Sequence, residues 1–414
     1  MPLRHTFRAL RERNARLFFA GLLVSNVGTW VQLTAMVLLV YRLTGKGTDL
    51  GVLVACQWGP LLLLGAWAGA FADRHDRLHL TRITQTLLAV QALTLGVLDL
   101  TGAINVPVVL ALSVVLGVIN AFDNPARRGF VTELVEPADI PNVVSLNTAV
   151  MTSSRLFGPA LAAVLVQTAG TGWCFVLNGV SVAAILVALA RIDRSRLRTT
   201  PRAAKGGTPV RDALRFVRSD PRLVVVFGVM LVVSTFVFNY PVALPLLADA
   251  HWGGANAFGL VLAVTSVGSV IGSLVIASRP AVPLRWFLGC TLVLGGFAIA
   301  VAYAPNLALA CVLAVPMGVG GAGFIASANS ISQVLAPPDM RSRLLALTAV
   351  AFLGSTPIGG PITGWVGDRF GASWALAYGG VIAIATVLVA VLWLQQTRVV
   401  THPATGREQV RTVA

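Results

Sequence analysis

Charge is what this sequence has least of. Only 11% of its 414 residues are Asp, Glu, Lys or Arg, less than half the roughly 25% of a soluble domain. Such a chain cannot cover a water-facing surface. Acids number sixteen, and Lys46 and Lys205 are the only lysines, so the 31 basic residues are nearly all arginine. Cysteine is scarce as well. Cys56, Cys174, Cys290 and Cys311 sit in apolar stretches without CxxC spacing, which argues against a metal site and for helix packing. The five histidines are scattered. Gly45-Lys46-Gly47 lacks the upstream glycine of a phosphate loop, and the GxGxxG at Gly318–Gly323 has no strand before it, so neither motif predicts a nucleotide site. No metal, no cofactor and no enzymatic chemistry are expected.

What fills the sequence is apolar: 56% of residues are hydrophobic and mean hydropathy is +0.80. A helix needs about 20 apolar residues to cross a bilayer. Uncharged runs predict spans near 17–41, 50–72, 80–98, 103–122, 144–167, 171–190, 223–247, 256–278, 284–303, 306–328, 344–366 and 372–395. The first run follows a basic N-terminus and is too long for the core of a signal peptide, so it is expected to remain as a span. With the N-terminus inside, 27 of the 31 basic residues fall on the cytoplasmic side, Arg42, Lys46 and Arg369 outside, and Arg155 within a span. That asymmetry is the positive-inside rule. The net charge of +15 therefore reads as orientation and affinity for the anionic inner leaflet, and not as nucleic-acid binding. A multi-pass plasma (inner) membrane protein with both termini cytoplasmic is expected.

The sequence also repeats itself. Ala15-Arg16-Leu17 opens span one as Pro221-Arg222-Leu223 opens span seven, and Leu134–Asp139 matches Val334–Asp339. Gly158-Pro159 in span five finds its counterpart in Gly360-Pro361 of span eleven, and these two later matches are offset by 200 to 202 residues. The expected fold is an all-α membrane protein, twelve transmembrane helices in two six-helix pseudo-symmetric halves. Its parts are a basic amphipathic lead-in (1–16), an N-terminal half (17–190), a basic cytoplasmic linker (191–222), a C-terminal half (223–395) and a cytoplasmic tail (396–414). Within the linker, Arg211, Arg215 and Arg218 share one helical face and Val210, Leu214 and Val217 another, which predicts an amphipathic helix on the inner leaflet. Leu3, Arg4, Phe7, Arg8, Leu10 and Arg11 form a similar pattern in the lead-in. Two parallel six-span repeats are an arrangement of secondary transporters.

After span two the chain reads Gly69-Ala-Phe-Ala-Asp73-Arg74-His75-Asp76-Arg77. This resembles the GxxxDRxGRR loop of the major facilitator superfamily, departing from it at Asp76 and Leu78. Span five, Ser154-Arg155-Leu156-Phe157-Gly158-Pro159-Ala160-Leu161, is similar to that superfamily's GxxxGPxxGG antiporter signature. With the loop running from Asp123-Asn-Pro-Ala-Arg127-Arg128 to Asn147, and with Trp173–Ser181, the chain resembles the enterobactin-exporter-like (transmembrane secretion effector) branch. The resemblance implies export of a small molecule, such as a drug or siderophore, by alternating access in exchange for protons. It also implies a latch of Gly69, Asp73, Arg74 and Arg77, and bending points at Gly158, Pro159, Gly360 and Pro361.

Arg155 has no acid in its own helix. It reads as a cavity-facing cation for substrate or coupling, as an arginine satisfied by carbonyls freed at Pro159, or as one snorkelling to a water-filled cleft. Asp123 at the rim of span four is the best proton carrier, unless it is a capping or loop carboxylate bonded to Arg127. No acid is expected deep within a span. Asn26, Trp30, Asn120, Phe238, Asn239 and Phe324 are the candidate substrate wall, their few polar groups among aromatics suiting a partly apolar ligand. A same-fold nutrient importer and a non-transporting membrane sensor are the competing readings. A monomer is expected.

Overall fold

Lipid leaves backbone polar groups no partner but their own segment, and the uncharged runs fold accordingly as long helices. The computed structural model describes residues 8–198, 209–279, 281–337, 340–354 and 356–400. Leu3, Arg4 and Phe7 of the lead-in, linker residues 199–208, Pro338 and Asp339 of the repeat, and tail residues 401–414 lie outside the described residues. The first six helices are α1 (Arg13–Thr44), α2 (Gly47–Ala72), α3 (Arg77–Leu100), α4 (Val106–Glu133), α5 (Ile140–Thr168) and α6 (Thr171–Ala190). A short α7 (Pro209–Ser219) precedes α8 (Pro221–Phe236), α9 (Tyr240–His251), α10 (Ala255–Ala277), α11 (Leu284–Ala302) and α12 (Leu307–Leu335). The chain closes with α13 (Arg341–Leu353), α14 (Thr356–Phe370) and α15 (Ala372–Val400). No strand forms among the described residues. Length and apolarity give up to twelve spans when the bent pair α8–α9 counts as one. The chain divides into two compact units after Lys205, inside the stretch read as the linker.

Each unit packs its six spans in the same pattern. In the N-terminal half α1 pairs with α5 and α6, α3 with α4 and α6, and α2 with α4. In the C-terminal half the seventh span (α8–α9) pairs with the eleventh (α13–α14) and with α15, α11 with α12 and α15, and α10 with α12. The caps repeat too. Asn105 opens α4 by accepting from Val108 N at 3.0 Å, and Asn306 opens α12 by accepting from Leu309 N at 2.9 Å. Glycine lets helices within a half pack closely: a Cβ at Gly318 of α12 would stand 2.0 Å from the carbonyl oxygen of Thr265 in α10. The GxGxxG stretch is thus a helix-packing surface.

Two expectations of the spans need correction. The seventh span breaks, with α8 and α9 bent by 40° around Val237–Asn239. Pro241 has no N–H for the carbonyl of Val237, and its ring crowds that carbonyl. Pro159, by contrast, sits within an unbroken α5. Second, span four does not end at 122: α4 continues to Glu133, which puts Asp123 inside the helix at 1% exposure. An acid is thus buried inside a helix long enough to span.

The two lead-ins dock on their own halves. Ala9 is buried beside Val143, its N–H donates to Asn142 Oδ1 at 2.9 Å, and Arg8 pairs with Asp139 at 3.1 Å. In α7, Ala213 and Val217 are buried against Leu223, Ala336 and Leu344, and Asp212 faces Arg343 at 3.7 Å. The apolar face expected on the leaflet is therefore largely covered by protein, although Leu214 stays exposed. Where the linker begins, Asn14 exchanges two hydrogen bonds with the backbone of Asp193, at 2.9 and 3.1 Å. Hydrogen bonds from Ser195 hold the Asp193 carboxyl below its ordinary range.

Candidate functional site: a buried polar cavity

The N-terminal half encloses a cavity of about 40 Å³ lined by α1, α3, α4 and α6. That admits water and is far too small for a drug-sized ligand. Asn26, Asn120 and Asp123 all line it, so three of the residues singled out in the sequence meet there. Asp123 is held by three donors. Its Oδ1 accepts from Thr84 Oγ1 at 2.7 Å and Gln85 Nε2 at 2.9 Å, and its Oδ2 from Arg127 Nε at 3.1 Å. Arg127 stands one turn further along the same helix, the spacing at which side chains meet. Both members of the pair are largely buried, with side chains 2% and 11% exposed. The bond to Arg127 raised as the alternative is present, but in a helix interior and not in a loop. Asn26 donates to Met151 Sδ at 3.0 Å.

Behind the pair runs a carboxamide network that the sequence did not bring together. Asn178 Nδ2 donates to Gln32 Oε1 at 2.7 Å, Gln32 Nε2 to Gln91 Oε1 at 2.9 Å, and Gln91 Nε2 to the carbonyl of Leu112 at 3.1 Å. These residues come from α6, α1 and α3, and Gln32, Gln91 and Asn178 line the cavity. Their signal was available: amide side chains within apolar runs form hydrogen bonds between membrane helices. Trp30 does not line the cavity. The Arg155 guanidinium lies 5.5 Å from the Trp30 ring centroid, a cation–π distance, and the Arg155 side chain is exposed. Gly158 permits this crossing of α1 and α5, since a Cβ there would come 2.3 Å from Trp30 Cβ.

The C-terminal candidates occupy different surroundings. Phe238, in the break between α8 and α9, contacts Phe352 at 5.0 Å and Phe324 at 5.8 Å between ring centroids. Phe324, expected on a wall, is instead fully buried and stacked 5.0 Å from Phe287. Asn239 donates to the carbonyl of Thr235 at 2.7 Å, while its buried Oδ1 has no hydrogen-bond partner among the described residues. Gly359 crosses the seventh span so tightly that a Cβ would stand 1.7 Å from the Thr235 oxygen. Gly360 is buried one residue further on, with Pro361 half-buried beside it.

At the α2–α3 turn, Arg77 joins two acids, Asp73 at 3.2 Å and Glu133 at the end of α4 at 3.0 Å. Gly129 leaves room for that guanidinium, which would lie 2.6 Å from a Cβ there. Arg74 is exposed. Asp76, the departure from the superfamily pattern, caps α3 by accepting from His79 N at 2.8 Å. Asp76→Ala should therefore cost about 1 kcal/mol and lower Tm slightly; an unchanged Tm would mean the cap is redundant. A Cβ at Gly69 would meet nothing within 4 Å, so no helix of the N-terminal half requires glycine there.

Two six-helix units packed in the same pattern, the first of them holding a buried charged cavity, point to a membrane transporter, and the comparisons with known proteins agree. The transmembrane secretion effector family matches residues 4–406, and the chain belongs to that family of major facilitator transporters. Among characterised relatives, the staphyloferrin A transporter of Staphylococcus aureus is 24% identical over 63% of this chain and 66% of its own. The multidrug efflux pump Tap of Mycolicibacterium fortuitum is 25% identical over 86% and 89%. In solved structures the fold is similar to a bacterial homologue of the lysosomal transporter Spinster (TM-score 0.70, 16% identity, 94% and 97% covered). It is also similar to a POT family transporter (TM-score 0.74, 12% identity, 93% and 96% covered). The chain is a multi-pass membrane transporter and not an enzyme.

Proposed function

We propose that this transporter exports a partly apolar small molecule, a drug, siderophore or other secondary metabolite, across the plasma membrane in exchange for protons. One observation carries the reading: an aspartate in a span, ion-paired to Arg127, facing a water-sized cavity shared with Asn26 and Asn120. A proton arriving at Asp123 would remove the charge that partners Arg127 and leave a buried cation uncompensated. That is costly, so protonation favours a rearrangement of α3 and α4. The secretion family and a multidrug pump among the relatives support outward transport. Arg155 is the cation for an anionic group of the substrate, and Trp30 and Phe238 offer apolar contact. Asp73, Arg74 and Arg77, with Gly69, form the inner latch, while Gly158, Pro159, Gly360 and Pro361 set the helix crossings that must shift. The unit works as a monomer with both termini in the cytoplasm.

The test uses inside-out vesicles with an acidified lumen and a pH-sensitive dye. Cationic drugs and catechol or hydroxamate siderophores are added one at a time. Proton loss that needs both a compound and the intact protein is expected. Labelled compound that accumulates without any change in the gradient would end the proton-exchange reading. Asp73→Asn should slow transport several-fold with normal membrane insertion; full-speed transport would remove the latch.

A further inference from the structure

A second hollow, in the C-terminal half, has no place in the transport reading. It is a groove of about 570 Å³ between α10, α11 and α12, a volume that accommodates a small ligand. Its walls are apolar, with Ile276 and Val319 inside and the exposed Val275 and Val293 at its mouth. Gly272 and Gly320 on its lining are committed to helix packing, since a Cβ would approach Val319 O to 2.3 Å and Leu294 N to 2.6 Å. Gly289 is different: a Cβ there meets nothing within 4 Å. Space at that point is groove and not helix contact.

One end of the groove is cationic. Arg285 and Trp286 line it, and the Arg279 guanidinium lies 4.4 Å from the Trp286 ring centroid. Both arginines are exposed, and neither makes an ion pair among the described residues. The α10–α11 turn lies two crossings after the basic linker, on the side where arginine concentrates. A tryptophan beside basic residues at a span end is an interfacial arrangement.

We propose that this groove binds one anionic phospholipid of the inner leaflet, an acyl chain in the slot and the phosphate between Arg279 and Arg285. Charge and shape argue for this occupant together. An unpaired cationic end calls for an anion, and a continuous apolar trough calls for a hydrocarbon chain joined to it. A free phosphate would leave the trough unused, and a zwitterionic lipid would leave the arginines unneutralised. The inference is independent of what the protein transports.

The full chain, purified and delipidated in detergent, is titrated with phosphatidylglycerol or phosphatidylcholine carrying brominated acyl chains. Quenching specific to the groove is the difference between the parent protein and Trp286→Phe. Saturable quenching by phosphatidylglycerol is expected, and each arginine should contribute about fivefold to its preference over phosphatidylcholine. Arg285→Ala should lose that factor, and Arg279→Ala with Arg285→Ala nearly all the preference. Both arginines are exposed, so these variants test the site without touching helix packing. Gly289→Leu should abolish the quenching, and inorganic phosphate should leave it unchanged. Equal quenching by both lipids, quenching that survives Gly289→Leu in a folded protein, or displacement by phosphate overturns the proposal.

Discussion

Asp123→Asn is expected to abolish substrate-dependent proton flux while the protein still inserts and folds. The amide keeps the volume of the side chain and one acceptor oxygen for Thr84 and Gln85, but it cannot carry the exchangeable charge opposite Arg127. Asp123→Ala is harsher. It strands Arg127 and two buried donors, and breaking a buried pair from one side costs about 3–5 kcal/mol. That variant should lose Tm and surface expression as well as flux. The decisive comparison is Asp123→Asn combined with Arg127→Gln, which replaces the ion pair by neutral hydrogen-bonding groups. If the pair merely braces α4, the double variant recovers both stability and transport. If Asp123 carries the proton, stability returns and proton-coupled flux does not.

The second large effect concerns the glycines of the repeat. Gly359→Ala puts a methyl carbon 1.7 Å from the backbone oxygen of Thr235. No rotamer change relieves a clash with backbone, so α14 must move off the seventh span. Overpacking a core costs about 1–3 kcal/mol and sometimes more; here the upper end is expected, read as a lower Tm and poor recovery of folded protein. Gly158→Ala meets Trp30 Cβ at 2.3 Å, again an atom fixed to the backbone, and should be nearly as damaging. Gly69→Ala is the control. With no neighbour within 4 Å, it should keep or slightly raise helix stability, since alanine gains about 1 kcal/mol over glycine in a helix. A fall in its transport rate with Tm intact would assign Gly69 to the latch. A large loss of Tm in Gly69→Ala, or none in Gly359→Ala, would show that these distances do not govern packing.

Much of this architecture was legible because lipid makes the code simple. Uncharged runs mark spans and arginines mark one side, so the class and the two halves follow from composition and spacing. The break in the seventh span is harder to see. Pro241 lies in an apolar run that hydropathy reads as continuous, and only the loss of a backbone donor shows where the helix stops. The reverse error occurred at Asp123. The cluster of charges after it suggested a loop, whereas Asp123 and Arg127 are one helical turn apart and neutralise each other within α4. Gln32, Gln91 and Asn178 are hard to read in the sequence for a related reason. Each looks like an isolated polar residue until α1, α3 and α6 are known to pack together. Phe324 shows the opposite limit: an aromatic on a cavity helix reads the same whether it faces the lumen or, as here, stacks in the interior.

The docking of the two lead-ins has a consequence for biosynthesis. In the first half the arginine is on the lead-in and the acid lies just before the fifth span, Arg8 to Asp139. In the second the polarity is reversed, with Asp212 on α7 and Arg343 in α13. A ribosome delivers the halves one after the other, and duplicated sequences are prone to exchange equivalent segments while both are unfinished. An exchange here would set Arg8 against Arg343 and Asp212 against Asp139, like charge facing like in both places. Each lead-in is thus complementary in charge to its own half and not to the other.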